Sequence, residues 1–254
     1  MIQLLSDTRY LTIRALRESI RQPALEIGNV FIPMFFFAVT VGAIGNVAGK
    51  AFGVTNYTAF QVPVAVLQAV AGASGLAGLG TVADIERGYF DKLMLTPSPR
   101  LALVLGRLAA DGIRVMALTL LIVVVGMLFG SGMKSGPLGV VVIVAMGGAF
   151  GLAYSGVGLA LALKTGSAQA AQLGFLIFFP LVFLSPAFAP KEVFAPWLRV
   201  LATINPVTYI VEGMRDLVLS GWDVGSLAAA FGAIAGLGLF TMTLVLLALR
   251  SRTA

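Results

Sequence analysis

The stretch Asp84–Arg107, DIERGYFDKLMLTPSPRLALVLGR, is a charged island between two long apolar runs, and the way it is read decides the fold. If it continues helically from Asp84, Ile85, Tyr89, Leu93 and Thr96 fall on one side, with Glu86, Arg87, Phe90, Asp91 and Lys92 spread around the rest. That predicts a short surface helix. Pro97 and Pro99 end it, because proline lacks the amide hydrogen and restrains the residue before it, and a new apolar run starts at Leu101. A charged loop of this kind is either a docking element or a solvated connector that keeps two spans apart, and periodicity leaves both readings open.

The residues on either side are mostly hydrocarbon. Of 254 residues, 59% are hydrophobic and 11% charged, with a mean hydropathy of +0.99; a soluble domain carries about a quarter charged residues. The predicted class is an all-α polytopic membrane protein, with residues 1–254 forming a single transmembrane domain. The chain has no cysteine and no histidine, which removes disulfides, thiolate nucleophiles, the usual zinc sites and histidine acid–base chemistry. Lys and Arg exceed Asp and Glu by 17 to 11, a surplus that in such a chain serves membrane orientation rather than nucleic-acid binding.

Six apolar runs, near 25–45, 58–82, 108–130, 137–163, 169–189 and 225–249, are each long enough for the roughly 20 residues that cross a bilayer core. In lipid the backbone must bond internally, so each is expected to be a helix. With the N-terminus inside, the inner segments hold Arg9, Arg14, Arg17, Arg21, Arg87, Lys92, Arg100, Arg107, Arg114, Lys164, Arg250 and Arg252. Lys50, Lys134, Lys191, Arg199 and Arg215 fall outside, so both termini and the charged island are expected to be cytoplasmic. Residues 1–24 lack the uninterrupted apolar middle of a cleavable signal. Ile2, Leu5, Ile13, Leu16 and Ile20 share one helical arc there, beside Asp7, Arg14, Arg17, Glu18 and Arg21, while Leu4, Arg9 and Leu11 break the pattern. That predicts an amphipathic interface helix with its arginines near anionic head groups.

Rows of small residues, Ala69/Ala73/Ala77, Gly147/Gly151/Ser155 and Gly232/Gly236, predict close helix packing. Arg107, Asp111 and Arg114 share a face at the start of the third span and predict an ion-pair ladder at the interface. The fifth span carries Phe175, Phe178, Phe179, Phe183 and Phe188, with Pro180 expected to bend it; the first carries Phe31, Phe35, Phe36 and Phe37. Such stripes are either packing surfaces or ligand walls. In KEVFAPWLRVLATINPVTYIVEGMRDLVLSGWD, Lys191–Asp223, Asn205 is a good N-cap, Pro206 suits the first helical position and Gly221 a stop. The helix between them is too short and polar to span, so residues 191–222 are expected to lie at, or partly re-enter, the outer interface, anchored by Trp197 and Trp222. Glu212, Arg215 and Asp216 are expected on its wet face.

Glu86-Arg87-Gly88, Thr96-Pro97, Arg100 and Gly106-Arg107 resemble the cytoplasmic loop of the second type of ATP-binding-cassette (ABC) transporter permeases, the family of the daunorubicin-resistance exporters. Members often carry a further acidic residue near the position of Gly88, where this chain has Tyr89 and Phe90. Asn205-Pro206 followed by Tyr209, Glu212 and Arg215 is similar to a pattern before the last span of the same family. The resemblance implies that residues 84–97 form a coupling helix for the ATPase, with Asp84, Glu86, Arg87, Gly88, Tyr89, Phe90, Asp91, Leu93, Pro97 and Arg100 as the coupling residues. It implies that the first and fifth spans of two copies line an exit pathway, which makes Phe31, Phe35, Phe175, Phe179 and Phe183 candidate wall residues. It also implies two ABC ATP-binding subunits, a second copy of the permease and a bacterial plasma membrane.

The chain itself lacks nucleotide chemistry. Its nearest approach to a phosphate loop, Gly45 to Lys50 in a predicted outer loop, has one residue too few between the glycines and Ala51 where a hydroxyl should hold magnesium. No Asp, Glu, Lys or Arg lies near the middle of a predicted span, which argues against an ion-driven carrier. The expected function is therefore the permease subunit of an ATP-driven exporter of a hydrophobic drug or lipid-like molecule, not an enzyme, with ATP and Mg on the partner. The alternatives are a permease for lipid-linked polysaccharide, or a carrier or channel that needs no ATPase.

Overall fold

The computed structural model describes residues 2–75 and 77–253, and the described residues contain helices and turns without a strand. Leu76, inside the second predicted span, and the side chains of Ile2 and Leu25 lie outside the described residues. The helices are α1 Ile2–Ile20, α2 Pro23–Phe52, α3 Tyr57–Gly75, α4 Gly78–Glu86, α5 Tyr89–Met94, α6 Arg100–Leu128, α7 Gly136–Thr165, α8 Ala168–Phe183, α9 Pro196–Ile204, α10 Pro206–Leu219 and α11 Val224–Thr253.

Five stretches among the described residues are long and apolar enough to cross a membrane: Glu26–Phe52, Tyr57–Glu86, Arg100–Leu128, Gly136–Thr165 and Val224–Arg252. The fifth predicted run is shorter than the expected 169–189. Helix α8 has 16 residues, roughly 24 Å at 1.5 Å per residue. Pro180 sits in its last turn, so it precedes a helix end rather than bending a long span, and Leu184 and Ser185 turn back onto the carbonyls of Pro180 and Val182. The first run is longer than expected. Gly45 to Lys50 is therefore not an outer loop but the last turns of α2, where helical bonding commits amides that a phosphate would need.

Helix α3 is the axis of the bundle, in contact with α2, α6, α7, α8 and α10. Most of α3 is buried, whereas little of the apolar part of α2 is, so α2 is a peripheral helix held along one side. Apolar burial gains little over lipid, so close backbone approach must hold these helices together. The tightest junction joins α3, α4, α7 and α8: a Cβ built on Gly78 would lie 2.3 Å from the Gly158 carbonyl oxygen, and one on Gly174 2.7 Å from that of Gly75. The predicted small-residue rows of the second and fourth runs do pack, with Ala69, Ala73 and Ala77 buried and Gly147 and Gly151 pressed on Thr119 and Val115 of α6. Gly232 and Gly236 do not: nothing lies within 4 Å of a Cβ at either. Helix α11 instead meets α7 through Gly156 against Thr241, where the Thr241 hydroxyl donates to the Ala153 carbonyl at 2.7 Å.

Candidate functional site

The charged island is not one continuous helix. Gly88 adopts φ +66°, a left-handed conformation that favours glycine, and it separates α4 from α5. The break sorts the predicted coupling residues into two sets. Glu86, Arg87, Tyr89, Asp91, Pro97 and Arg100 are exposed, Leu93 is half-buried, and Asp84 and Phe90 are buried. Phe90 therefore does not stand on the outer surface as the continuous helix required. It packs with Val104, Leu108, Leu159, Leu163, Val245 and Leu249 of α6, α7 and α11, with the Arg252 guanidinium 5.7 Å from its ring centroid.

Asp84 ties this elbow to two other helices. Arg14 of α1 donates to its Oδ1 at 2.7 Å and lies 4.0 Å from the centroid of the Tyr89 ring, so one arginine grips both sides of the Gly88 break. Partial burial works against the Arg14 charge, but the hydrogen bond and charge of Asp84 outweigh it and hold the guanidinium above its ordinary range. Arg107 of α6 approaches the other Asp84 oxygen at 3.9 Å and pairs with Glu18 of α1 at 3.3 Å. Gly80 leaves the space for that arginine, since a Cβ there would overlap its guanidinium. Two helical turns along α6, Arg114 binds Asp111 at 3.0 Å and Glu26 of α2, and Ser19 donates to the same Glu26.

The ladder expected from Arg107, Asp111 and Arg114 therefore forms only in its second half. Arg107 turns to Glu18 and Asp84 because α1 lies across α6, which no spacing within α6 could announce. For the same reason α1 presents a different face to the protein than its apolar arc suggested. Leu11, which breaks the pattern, is pressed on Gly106, and Thr12 is buried, whereas Leu5 is 65% and Ile20 76% exposed. Arg14 serves the protein rather than a free membrane surface. Glu18, Arg14 and Gly80 are thus site residues that sequence reasoning missed.

The two aromatic stripes are largely exposed. Phe31 and Phe35 of α2 stack at 5.7 Å between centroids; on α8, Phe175 meets Phe179 at 5.2 Å and Phe179 meets Phe183 at 6.2 Å. Phe178, one residue off that stripe, is buried against Phe150 and Tyr154.

At the opposite end of the bundle from Asp84, Asn205, Tyr209, Glu212 and Arg215 each tie α10 to a different neighbour. The Asn205 Oδ1 accepts from the Val207 amide at 3.0 Å and its Nδ2 donates to the Leu181 carbonyl at the end of α8. With Pro206 at the first position, α10 is capped as expected. The Tyr209 hydroxyl donates to the Thr203 carbonyl of α9 at 2.7 Å, and Glu212 pairs with Lys191 at 3.5 Å. Arg215 is not on the wet face. It is buried, with its guanidinium 3.6 Å from the Phe60 ring centroid and Nη2 donating to the Ala187 carbonyl at 3.3 Å. Burial pushes it down to about 10, against the pull of Glu212 and Asp216. Trp197 and Trp222 are exposed, and the Trp222 Nε1 donates to the Ser135 carbonyl at 3.2 Å.

Arg215 thus clamps the start of α3, the turn after α8 and α10. Changing Arg215 to alanine is expected to destabilise the protein by about 2 kcal/mol, the balance of a desolvated cation–π contact and a charged hydrogen bond against the cost of burying the charge. Amide exchange at residues 184–190 should quicken with it. Unchanged exchange in that turn would remove the clamp.

The ABC-2 type transporter family matches residues 6–219. A daunorubicin resistance ABC transporter permease protein, DrrB1, of Streptomyces coeruleorubidus is 26% identical over 227 residues, covering 87% of this chain and 80% of the relative. A probable doxorubicin resistance ABC transporter permease protein, DrrC, of Mycobacterium tuberculosis is 22% identical over 218 residues, with 85% and 78% covered. A putative transport permease, ycf38, of Porphyra purpurea is 23% identical over 217 residues, with 84% and 74% covered.

Proposed function

This chain belongs to the ABC-2 type transporter family, and from that premise we propose that it is the membrane-spanning subunit of an ATP-driven exporter whose motor docks on the exposed side of the Gly88 elbow. Two permease copies pair with two cassette ATPases, which hold the ATP and its magnesium. Helix α8 and the turn after it serve as a sixth, short span; α1 lies in the cytoplasmic interface; α9 and α10 re-enter from the outer side. Both termini face the cytoplasm of a bacterial plasma membrane.

One observation carries this reading: the same short segment offers Glu86, Arg87, Tyr89 and Asp91 to solvent and is fastened inwardly by Asp84 to α1 and α6 and by Phe90 to α7 and α11. A push on its outer side would therefore be carried to four helices rather than absorbed by a loose loop. The inward charges are at most about a third exposed, so salt screens them less than surface pairs and the joint stays stiff. The push tilts the bundle about α3, and the aromatic stripes Phe31/Phe35 and Phe175/Phe179/Phe183 of two facing copies part to let cargo move outward. Their apolar, uncharged character supports a hydrophobic drug or lipid-like cargo, in keeping with the drug-resistance names of two of the relatives.

The test is the double variant Glu86→Ala, Arg87→Ala in the permease co-expressed with its cassette ATPase. Both side chains are exposed, so folding is expected to hold, within about 0.5 kcal/mol. Export and permease-stimulated ATPase activity are expected to fall by about tenfold or more. Full coupling in the double variant would take the elbow out of the mechanism, and transport by the permease alone in liposomes would replace the reading with that of an ATPase-free carrier.

A further inference from the structure

We propose that the groove between α7, α8 and α11 holds an anionic phospholipid, with its headgroup at Lys164 and an acyl chain lying along α11. The groove has a volume of about 1170 Å³, and its lining runs from Lys164 and Ser251 past Leu247, Leu244 and Phe240 toward Tyr209. It is open at Gly236, where nothing lies within 4 Å of a Cβ built on the backbone. In a membrane such a cleft fills with hydrocarbon, and the question is which head the hydrocarbon carries.

Charge answers it. Lys164 is the one charged residue in the lining, and it stands at one end. It is exposed and has no ion pair among the described residues. Arg252 lies beside it, donating to the adjacent Leu163 carbonyl at 3.0 Å. The other polar groups along the wall are occupied: the Tyr154 hydroxyl donates to the Gly174 carbonyl at 2.6 Å and that of Tyr209 to Thr203. No carboxylate lines the groove. A headgroup therefore has one anchoring end, and that end is cationic. From Ser251 to Phe240 the groove follows about 16 Å of helix, close to the half-thickness of a hydrocarbon core.

A second permease copy is a poor occupant. The groove is lined from α8 by Ile177 and Leu181, whereas the Phe175/Phe179/Phe183 stripe lies about 160° away around the same helix. Copies that meet through the stripe leave the groove facing bilayer.

A lysine in the last turn of α7 also favours the helix dipole, but that benefit does not depend on the lipid headgroup. Native mass spectrometry of the full-length protein, in micelles doped with phosphatidylglycerol or phosphatidylcholine of the same acyl chains, separates the two roles. Phosphatidylglycerol is expected to be retained in preference. Lys164→Gln should weaken its retention about fivefold, the worth of one interfacial lysine, and leave phosphatidylcholine unchanged, while Lys164→Arg should keep the preference. Leu244→Trp, which fills the groove, should reduce retention of both. Equal retention of the two lipids by the unaltered protein, or a Lys164→Gln variant that keeps the preference, overturns the proposal. So does a disulfide between two copies carrying Leu244→Cys, since protein would then cover the groove.

Discussion

Replacing Gly78 by leucine is expected to leave almost no folded protein in the membrane. The Cβ alone would sit 2.3 Å from the Gly158 carbonyl oxygen, 2.8 Å from its carbon and 3.0 Å from the Ala162 Cβ, and the first two are backbone of α7 that no rotamer change can move aside. To make room, α4 must leave α7, and with it the junction that also seats Gly174 of α8 on Gly75. Overpacking of this kind costs on the order of 3 kcal/mol, a large part of what holds a bundle whose helices gain little from apolar burial. Gly232→Leu is the matched control: it adds the same atoms where nothing lies within 4 Å, so yield and thermal midpoint should stay near those of the unaltered chain. Equal midpoints for the two variants in the same detergent would show that the junction does not carry the fold.

Asp84→Ala is expected to uncouple the motor more completely than the exposed double variant, because it acts on the joint rather than on the docking face. The change removes the 2.7 Å bond to Arg14 and the 3.9 Å approach of Arg107. Arg107 keeps Glu18, whereas Arg14 loses its hydrogen-bonded partner and keeps the Tyr89 ring and the charge of Glu18. Truncating one member of a buried charge pair costs several kcal/mol; the Arg14 side chain is 36% exposed, so about 2 kcal/mol is expected here. Export should fall by at least tenfold while the ATPase still binds, since Glu86, Arg87 and Asp91 remain in place. A double-mutant cycle of Asp84→Ala with Arg14→Ala should return a coupling of about 1 kcal/mol or more. Additive effects would mean that α1 and the elbow do not move as one body.

Much of this could be read along the chain. Composition demanded a membrane protein, apolar runs marked the five long stretches though two of them extend seven or eight residues past the expected bounds, and Asn205, Pro206 and Gly221 bounded α10 because capping is settled by neighbours in sequence. The Glu-Arg-Gly turn and the Asn-Pro motif pointed to the family that matches residues 6–219. What could not be read was every choice between two faces of the same helix. Helix α1 turned Leu11 and Arg14 inward although its apolar arc lay elsewhere, because Gly106 and Asp84 were waiting there. Arg215 looked wet on the α10 wheel and is buried because Phe60, 155 positions earlier in the numbering, covers it. Gly232 and Gly236 had the spacing of a packing face and meet no other helix at their Cβ positions.

The division has a physical cause. Whether a residue enters lipid, starts a helix or ends one depends on its own transfer energy and on backbone bonding within a few positions, so a linear reading reaches it. Whether a charge is paired, or a glycine row meets another helix, depends on which element lies opposite in space, and that is settled when distant segments such as α1, α4 and α6 close on one another.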